Sequence, residues 1–116
     1  AMNPTTYGNF AEVALPAAVE KNVGVIAMKV MKNIVGKEAT PEELIKYVLS
    51  KKGVASGVIG HVGIETLADN IRIVSEYAET EMSHHEKTEI EQRLAHLAGP
   101  HALVWARPDY FDGMMC

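Results

Sequence analysis

Val23-Gly24-Val25-Ile26-Ala27-Met28-Lys29-Val30-Met31 is a near-continuous apolar run of β-favouring residues. It lacks the in-out alternation of a sheet with one wet face, and so predicts a parallel strand covered on both faces. Val54 to Gly60 is a second, shorter run of the same kind. Gly57 within it weakens the β preference but permits a close backbone approach. Between the two runs, Thr40-Pro41-Glu42-Glu43 places Thr at a cap, Pro at the first helical position and Glu at the third, which is a helix start. Leu44, Ile45, Val48 and Leu49 follow on one face, with a stop expected near Gly53. Strand, helix, strand makes one βαβ unit, whose crossover is expected to be right-handed.

The flanks extend this pattern. Phe10 to Lys21 reads as a helix with apolar residues at 10, 13, 14, 17 and 18. Pro16 lacks a backbone donor, so that helix either kinks there or truly starts just before it. After the second strand, residues 64 to 78 carry Ile64, Leu67, Ile71, Val74 and Ala78 at 3-4-3-4 spacing, the stripe of a helix that buries one face. Helix, strand, helix, strand, helix is an α/β alternation with parallel strands. Residues 3–9 and 32–39 read as loops. Ser83-His84-His85-Glu86 is a second capping box, opening a helix with Ile90, Leu94 and Leu97 inward that ends at Gly99-Pro100. His101 to Cys116 is an irregular arm whose Trp105, Tyr110 and Phe111 are expected to dock onto something. Two strands alone leave sheet edges and faces open, so further sequence or another chain is expected to complete them.

Composition bounds the function. The 116 residues are 47% apolar and 22% charged, which suits a folded domain and not a disordered chain. A formal net charge of -4 argues against nucleic acid as a partner, since binders of that kind carry a basic excess. The longest apolar stretch is too short to span a bilayer and contains Lys29, and no export signal opens the chain, so no membrane role is expected. The single cysteine, Cys116, excludes an internal disulfide framework and suits a cytoplasmic setting. Ala1-Met2 reads either as a tag remnant before an initiator methionine or as the cut end of a longer chain.

Few residues suggest chemistry by themselves. Five histidines are present, but His84 and His85 are adjacent and diverge on a helix, and His96 and His101 straddle a helix end. No metal-ligand spacing joins them. Lys29 in an apolar strand is either a ligand-binding or Schiff-base amine, or a strand-end lysine whose stem packs while its ammonium meets water. Cys116 has no activating neighbour, and Ser50, Ser56 and Ser75 lack an elbow motif. The strongest positional signal is Gly60-His61-Val62-Gly63 between a strand and a helix, where backbone N–H groups and the positive helix end can face an anion. Its G-x-x-G spacing is not the dinucleotide fingerprint. Asp69 and Asn70 either bond a nucleoside or are ordinary helix-surface polarity.

Taken in register, these segments resemble the C-terminal portion of the aldo-keto reductases. Residues 15–31, from Leu15-Pro16-Ala17-Ala18-Val19-Glu20 through Met31, look like that family's sixth helix and seventh strand. Residues 40–50 look like its seventh helix. Val58-Ile59-Gly60 followed by Glu65-Thr66-Leu67-Ala68-Asp69-Asn70-Ile71 is similar to the eighth strand and the helix after it, where Glu-Asn is common in place of Asp69-Asn70. The resemblance implies a (β/α)8 barrel with NADP or NAD stretched across the carboxyl ends of its strands, passing hydride to a carbonyl substrate. The tyrosine, lysine, aspartate and histidine of the family's catalytic tetrad belong to earlier strands. Tyr7, Tyr47, Tyr77 and Tyr110 do not match that tyrosine, and Lys29 is not that lysine.

What carries over is the adenosine-phosphate end of the cofactor site. Lys29, Val30, Met31 and Lys32 match the loop along the pyrophosphate. Gly60, His61, Val62 and Gly63 match the loop on the 2'-phosphate side, and Asp69 and Asn70 match the pair that contacts adenine. Thr66 stands where many members have an arginine clamp for the 2'-phosphate, and its loss weakens that recognition. The expectation is a partial TIM barrel over 1–79 with an extension over 80–116. Such a chain is expected to be inactive alone, to bind dinucleotide weakly or not at all because half the pocket walls are missing, and to be completed by self-association or by further N-terminal sequence. A non-catalytic self-associating or dinucleotide-binding module is the other reading, and a third is a fragment that folds differently from its parent segment.

Overall fold

The computed structural model describes residues 2–5, 10–31, 34–36, 38–77, 81–99 and 107–111. It is a mixed α/β structure with two parallel strands and four α-helices. A π-helical turn at Phe10–Ala14 leads into α1 (Leu15–Glu20). The regular helix therefore starts just before Pro16, where the missing N–H costs nothing. It closes in a Schellman arrangement: Val23 N–H donates to the Ala18 carbonyl at 2.8 Å and Asn22 N–H to Val19 at 3.1 Å, with Asn22 at φ 53°.

β1 (Val25–Ala27) pairs in parallel with β2 (Val54–Gly57), matching Val25 with Val54, Ile26 with Ser56 and Ala27 with Gly57. The register slips between Val25 and Ile26. Both strands are shorter than the apolar runs that predict them. Lys29, at φ 57°, sits in the left-handed region and turns the chain away from the sheet. The expected cover on both faces is corrected too: Ala27 is buried, but Ile26 is 66% exposed. One face of the sheet packs on the core and the other lies open.

The crossover helix α2 (Pro41–Leu49) begins with a complete capping box. The Thr40 hydroxyl accepts from Glu43 N–H at 3.2 Å, and the Glu43 carboxylate accepts from Thr40 N–H at 2.9 Å. Gly53, at φ 100°, makes the turn into β2. A Cβ there would collide with the Val19 side chain, so the position is closed to other residues on two counts.

α3 (Gly63–Glu76) packs against α2, but not on the expected face. Its buried residues are Asn70 and Ile73, whereas Ile64 is 76% and Ile71 58% exposed and Val74 is also exposed. The 3-4-3 stripe is present, with Leu67 half-buried and Ile64, Ile71 and Val74 left exposed among the described residues. Ala78 lies outside those residues.

α4 (His84–Leu94) opens on the second capping box, between Ser83 and Glu86, and runs into a 3-10 turn at Ala95–Leu97. Its Ile90 and Leu94, with Met82, join Leu15, Ala27, Val30, Ile34, Leu44, Tyr47 and Val48 in one buried cluster. Residues from both 1–79 and 80–116 thus build the same core. Polar contacts line the α2–α4 seam: Arg93 to Glu43 at 2.6 Å, Lys87 Nζ to the Ser50 carbonyl at 3.3 Å, and His96 to Glu38 at 2.9 Å. Exposed pairs of this sort contribute about 0–1 kcal/mol each. Burial of Ile90 and Leu94, at about 1.5–3 kcal/mol apiece, dominates the docking. Of the aromatic arm, Tyr110 is half-buried and Phe111 exposed, and Trp105 lies outside the described residues.

Candidate functional site at the strand ends

Parallel pairing points the carboxyl ends of β1 and β2 the same way, where open α/β sheets place their ligands. An open cleft of about 410 Å3 lies there, lined by Met28, Lys29 and Met31 after β1 and by Val58 and Gly60 after β2. Val58 N–H donates to the Ala27 carbonyl at 2.8 Å and holds the two exits together. Residues 2–5 strap the first exit. Met2 N–H donates to the Met28 carbonyl at 2.9 Å, and Asn3 Nδ2 donates to the Lys29 carbonyl at 2.9 Å. Asn3 Oδ1 accepts from the backbone N–H and the hydroxyl of Thr5, both at 2.8 Å. Sequence patterning gave no hint of this strap.

Of the residues expected to hold a dinucleotide, Lys29, Met31 and Gly60 therefore meet in one cleft. Val30 points into the core and is 1% exposed, and Lys32 lies outside the described residues. Lys29 stands two residues beyond β1 and is half-buried, as a strand-end lysine is. A Cβ on Gly60 would meet nothing within 4 Å, so its backbone is open to approach.

The second half of the expected set is spread along the start of α3. His61 and Val62 are exposed, and Gly63 adopts φ 81° to enter the helix. Val62 occupies the cap position without a side-chain cap, unlike Thr40 and Ser83, so the first-turn N–H groups of α3 have no side-chain acceptor from it. The Thr66 hydroxyl is turned back to the Val62 carbonyl at 3.0 Å. Asp69 is exposed, 4.0 Å from Arg72. Asn70 lies about 100° further round the helix, buried at 7% exposure, and its Nδ2 has no hydrogen-bond partner. Asp69 and Asn70 thus face different surroundings and do not act as a pair.

This arrangement can take one anionic group against Lys29 with an apolar or aromatic body over Met28, Met31 and Val58. Elsewhere, Ser50 and Ser75 hydroxyls donate to carbonyls of their own helices, at 2.9 and 2.8 Å. Among the described residues no group of three or more His, Cys, Asp or Glu gathers at one point. No helix among them is long and apolar enough to cross a membrane.

One polar set escaped sequence reasoning. The Tyr47 hydroxyl donates to Glu91 Oε1, and Lys51 Nζ lies 3.4 Å from the same carboxylate and 4.3 Å from the centre of the Tyr47 ring. Burial, then the hydrogen bond to Glu91 and its charge, push the Tyr47 phenol far above its ordinary value, so it stays protonated and serves structure. The i, i+4 spacing of Tyr47 and Lys51 was visible, but a partner 44 residues away was not. Comparison of the chain with protein-family models, with curated proteins and with solved structures finds no match.

Proposed function

We propose that the chain is the C-terminal portion of an aldo-keto reductase-like (β/α)8 barrel and supplies one wall of its NADP or NAD site. The parent chemistry is reduction of a small carbonyl substrate in the cytosol. One observation carries the reading: Lys29 and Met31, about thirty residues from Gly60 in sequence, share a cleft at the carboxyl ends of paired parallel strands. The element order α1-β1-α2-β2-α3 agrees with the corresponding stretch of such a barrel. A complete barrel needs about 250 residues, so this chain is less than half of one. Under this reading the proton-donating tyrosine is elsewhere, and a bound nicotinamide would meet no acid to protonate the developing alkoxide.

The test is titration of the purified chain with NADPH, followed by its fluorescence, and an assay with a reactive aldehyde. Weak saturable binding is expected, reduced by Lys29→Gln and by Gly60→Val, with no turnover. With Thr66 in place of an arginine, NADP and NAD are expected to bind with similar affinity. Turnover that survives stringent purification refutes the reading of an incomplete enzyme, and identical binding by both variants refutes the cleft.

A second reading, a non-catalytic module that associates with itself, is favoured by the open α3 stripe of Ile64, Ile71 and Val74. Apolar surface of this kind calls for cover, and a second copy provides it symmetrically. Sedimentation is then expected to give a dimer or larger species that Ile71→Asp returns to monomer. A monomeric parent chain counts against it.

A further inference from the structure

A larger concavity, of about 600 Å3, lies between α1, the turn after α2 and α4, and shares no lining residue with the strand-end cleft. We infer that it binds an amphipathic monocarboxylate, with the carboxylate held by Lys52 and Lys87 and the aliphatic or aryl body laid over Leu15, Pro16 and Val19. The apolar part comes from one face of α1: Leu15 is buried beneath, while Pro16 and Val19 remain exposed to the opening. The charge pattern selects the occupant. Lys51 and Glu91 also line the space but are bound to each other, with the Tyr47 hydroxyl sharing the carboxylate. Lys52 and Lys87 have no carboxylate within 4.0 Å among the described residues. The only polar contact of the Lys87 ammonium there is the neutral Ser50 carbonyl, at 3.3 Å.

Against these two cations stands one further carboxylate in the lining, Glu20. With Lys51 offset by Glu91, and His84 left out of the count as in the formal charge of the whole chain, the local balance is one positive charge in a chain whose net charge is -4. A monoanion neutralises that excess, a dianion overshoots it, and a neutral amphiphile leaves the half-buried Lys87 without a counter-charge. The volume lies within the range of small-molecule sites. A site of this kind is independent of the dinucleotide reading, because none of its residues belongs to the strand ends.

The experiment uses the full chain, labelled with nitrogen-15, and three probes: octanoate, octanol and acetate. Octanoate is expected to bind saturably, with amide shifts concentrated at residues 15–19, 51–52 and 84–91. Octanol, which lacks the charge, and acetate, which lacks the body, are each expected to bind at least about tenfold more weakly, or about 1.4 kcal/mol. Lys52→Gln with Lys87→Gln is expected to cost octanoate about tenfold. Lys52→Gln alone, at an exposed position that the fold does not need, is expected to cost about threefold and keeps the test valid if the double variant misfolds. Octanol binding as tightly as octanoate overturns the proposal. So do non-saturable shifts, shifts centred on Met28, Met31 and Gly60, or affinity unchanged in Lys52→Gln.

Discussion

Replacing Asn70 by leucine is expected to make the chain more stable. Asn70 is 93% buried on α3 and its Nδ2 has no hydrogen-bond partner, so folding strips water from a two-proton donor and returns nothing to it. Leaving such a group unsatisfied costs about 1–3 kcal/mol. Leucine has nearly the same shape, removes the orphan donor and buries apolar carbon in its place. The gain is therefore about 1–3 kcal/mol, which for a domain of this size is a rise in Tm of roughly 4–12 °C. Urea unfolding followed by circular dichroism at 222 nm, with the slope held common, measures it directly. If Asn70→Leu instead loses 1 kcal/mol or more, the amide has a partner and the orphan reasoning fails.

Leu94→Ala removes a fully buried side chain from the α4 side of the core and is expected to cost about 2–5 kcal/mol in a single cooperative transition. A separate early melting of helix signal would show instead that α4 is an appendage. Gly53→Ala combines a left-handed φ with a collision against Val19, and is expected to lose about 2–5 kcal/mol by thermal melting. Burial raises the Glu43 carboxyl, but the Arg93 guanidinium and the Thr40 N–H outweigh it and hold the group below its ordinary value of 4.5. A folded-state pKa below the unfolded one contributes stability that is full above about pH 4.5 and lost as pH falls through the folded value. Urea midpoints between pH 3 and 7 are expected to drop more steeply below pH 4.5 in the parent chain than in Arg93→Gln.

The sequence was most legible where the physics is local. Thr40 with Glu43 and Ser83 with Glu86 close their boxes within three residues, and both helices start where those letters say. Pro16 marks the true start of α1 for the same reason. That the exits of the two runs share an edge was legible too, because parallel strands point the same way, whereas the grouping of Lys29 with Gly60 was implied only by the family resemblance. Periodicity told less than it promised at α3. It identified Ile64, Ile71 and Val74 as sharing a face, but spacing carries no information on whether anything lies opposite that face, and Asn70 and Ile73 are buried instead. The open Ile26 has the same origin, since an unbroken apolar run implies double cover only when both neighbours exist. The Tyr47–Glu91 bond depends on a docking 44 residues distant, which no local pattern encodes.

The seam between α2 and α4 also sets an order of events on the ribosome. Leu44, Tyr47 and Val48 are made first, and the residues that cover them, Ile90 and Leu94, are added more than forty positions later. At about 5–20 residues per second that interval lasts roughly 2–10 s, far longer than a helix needs to form. During it the residues of α2 are made but lack part of the apolar cover that so short a helix depends on. The interval is the window in which a chaperone or a neighbouring nascent chain competes for the face of α2 that α4 finally covers.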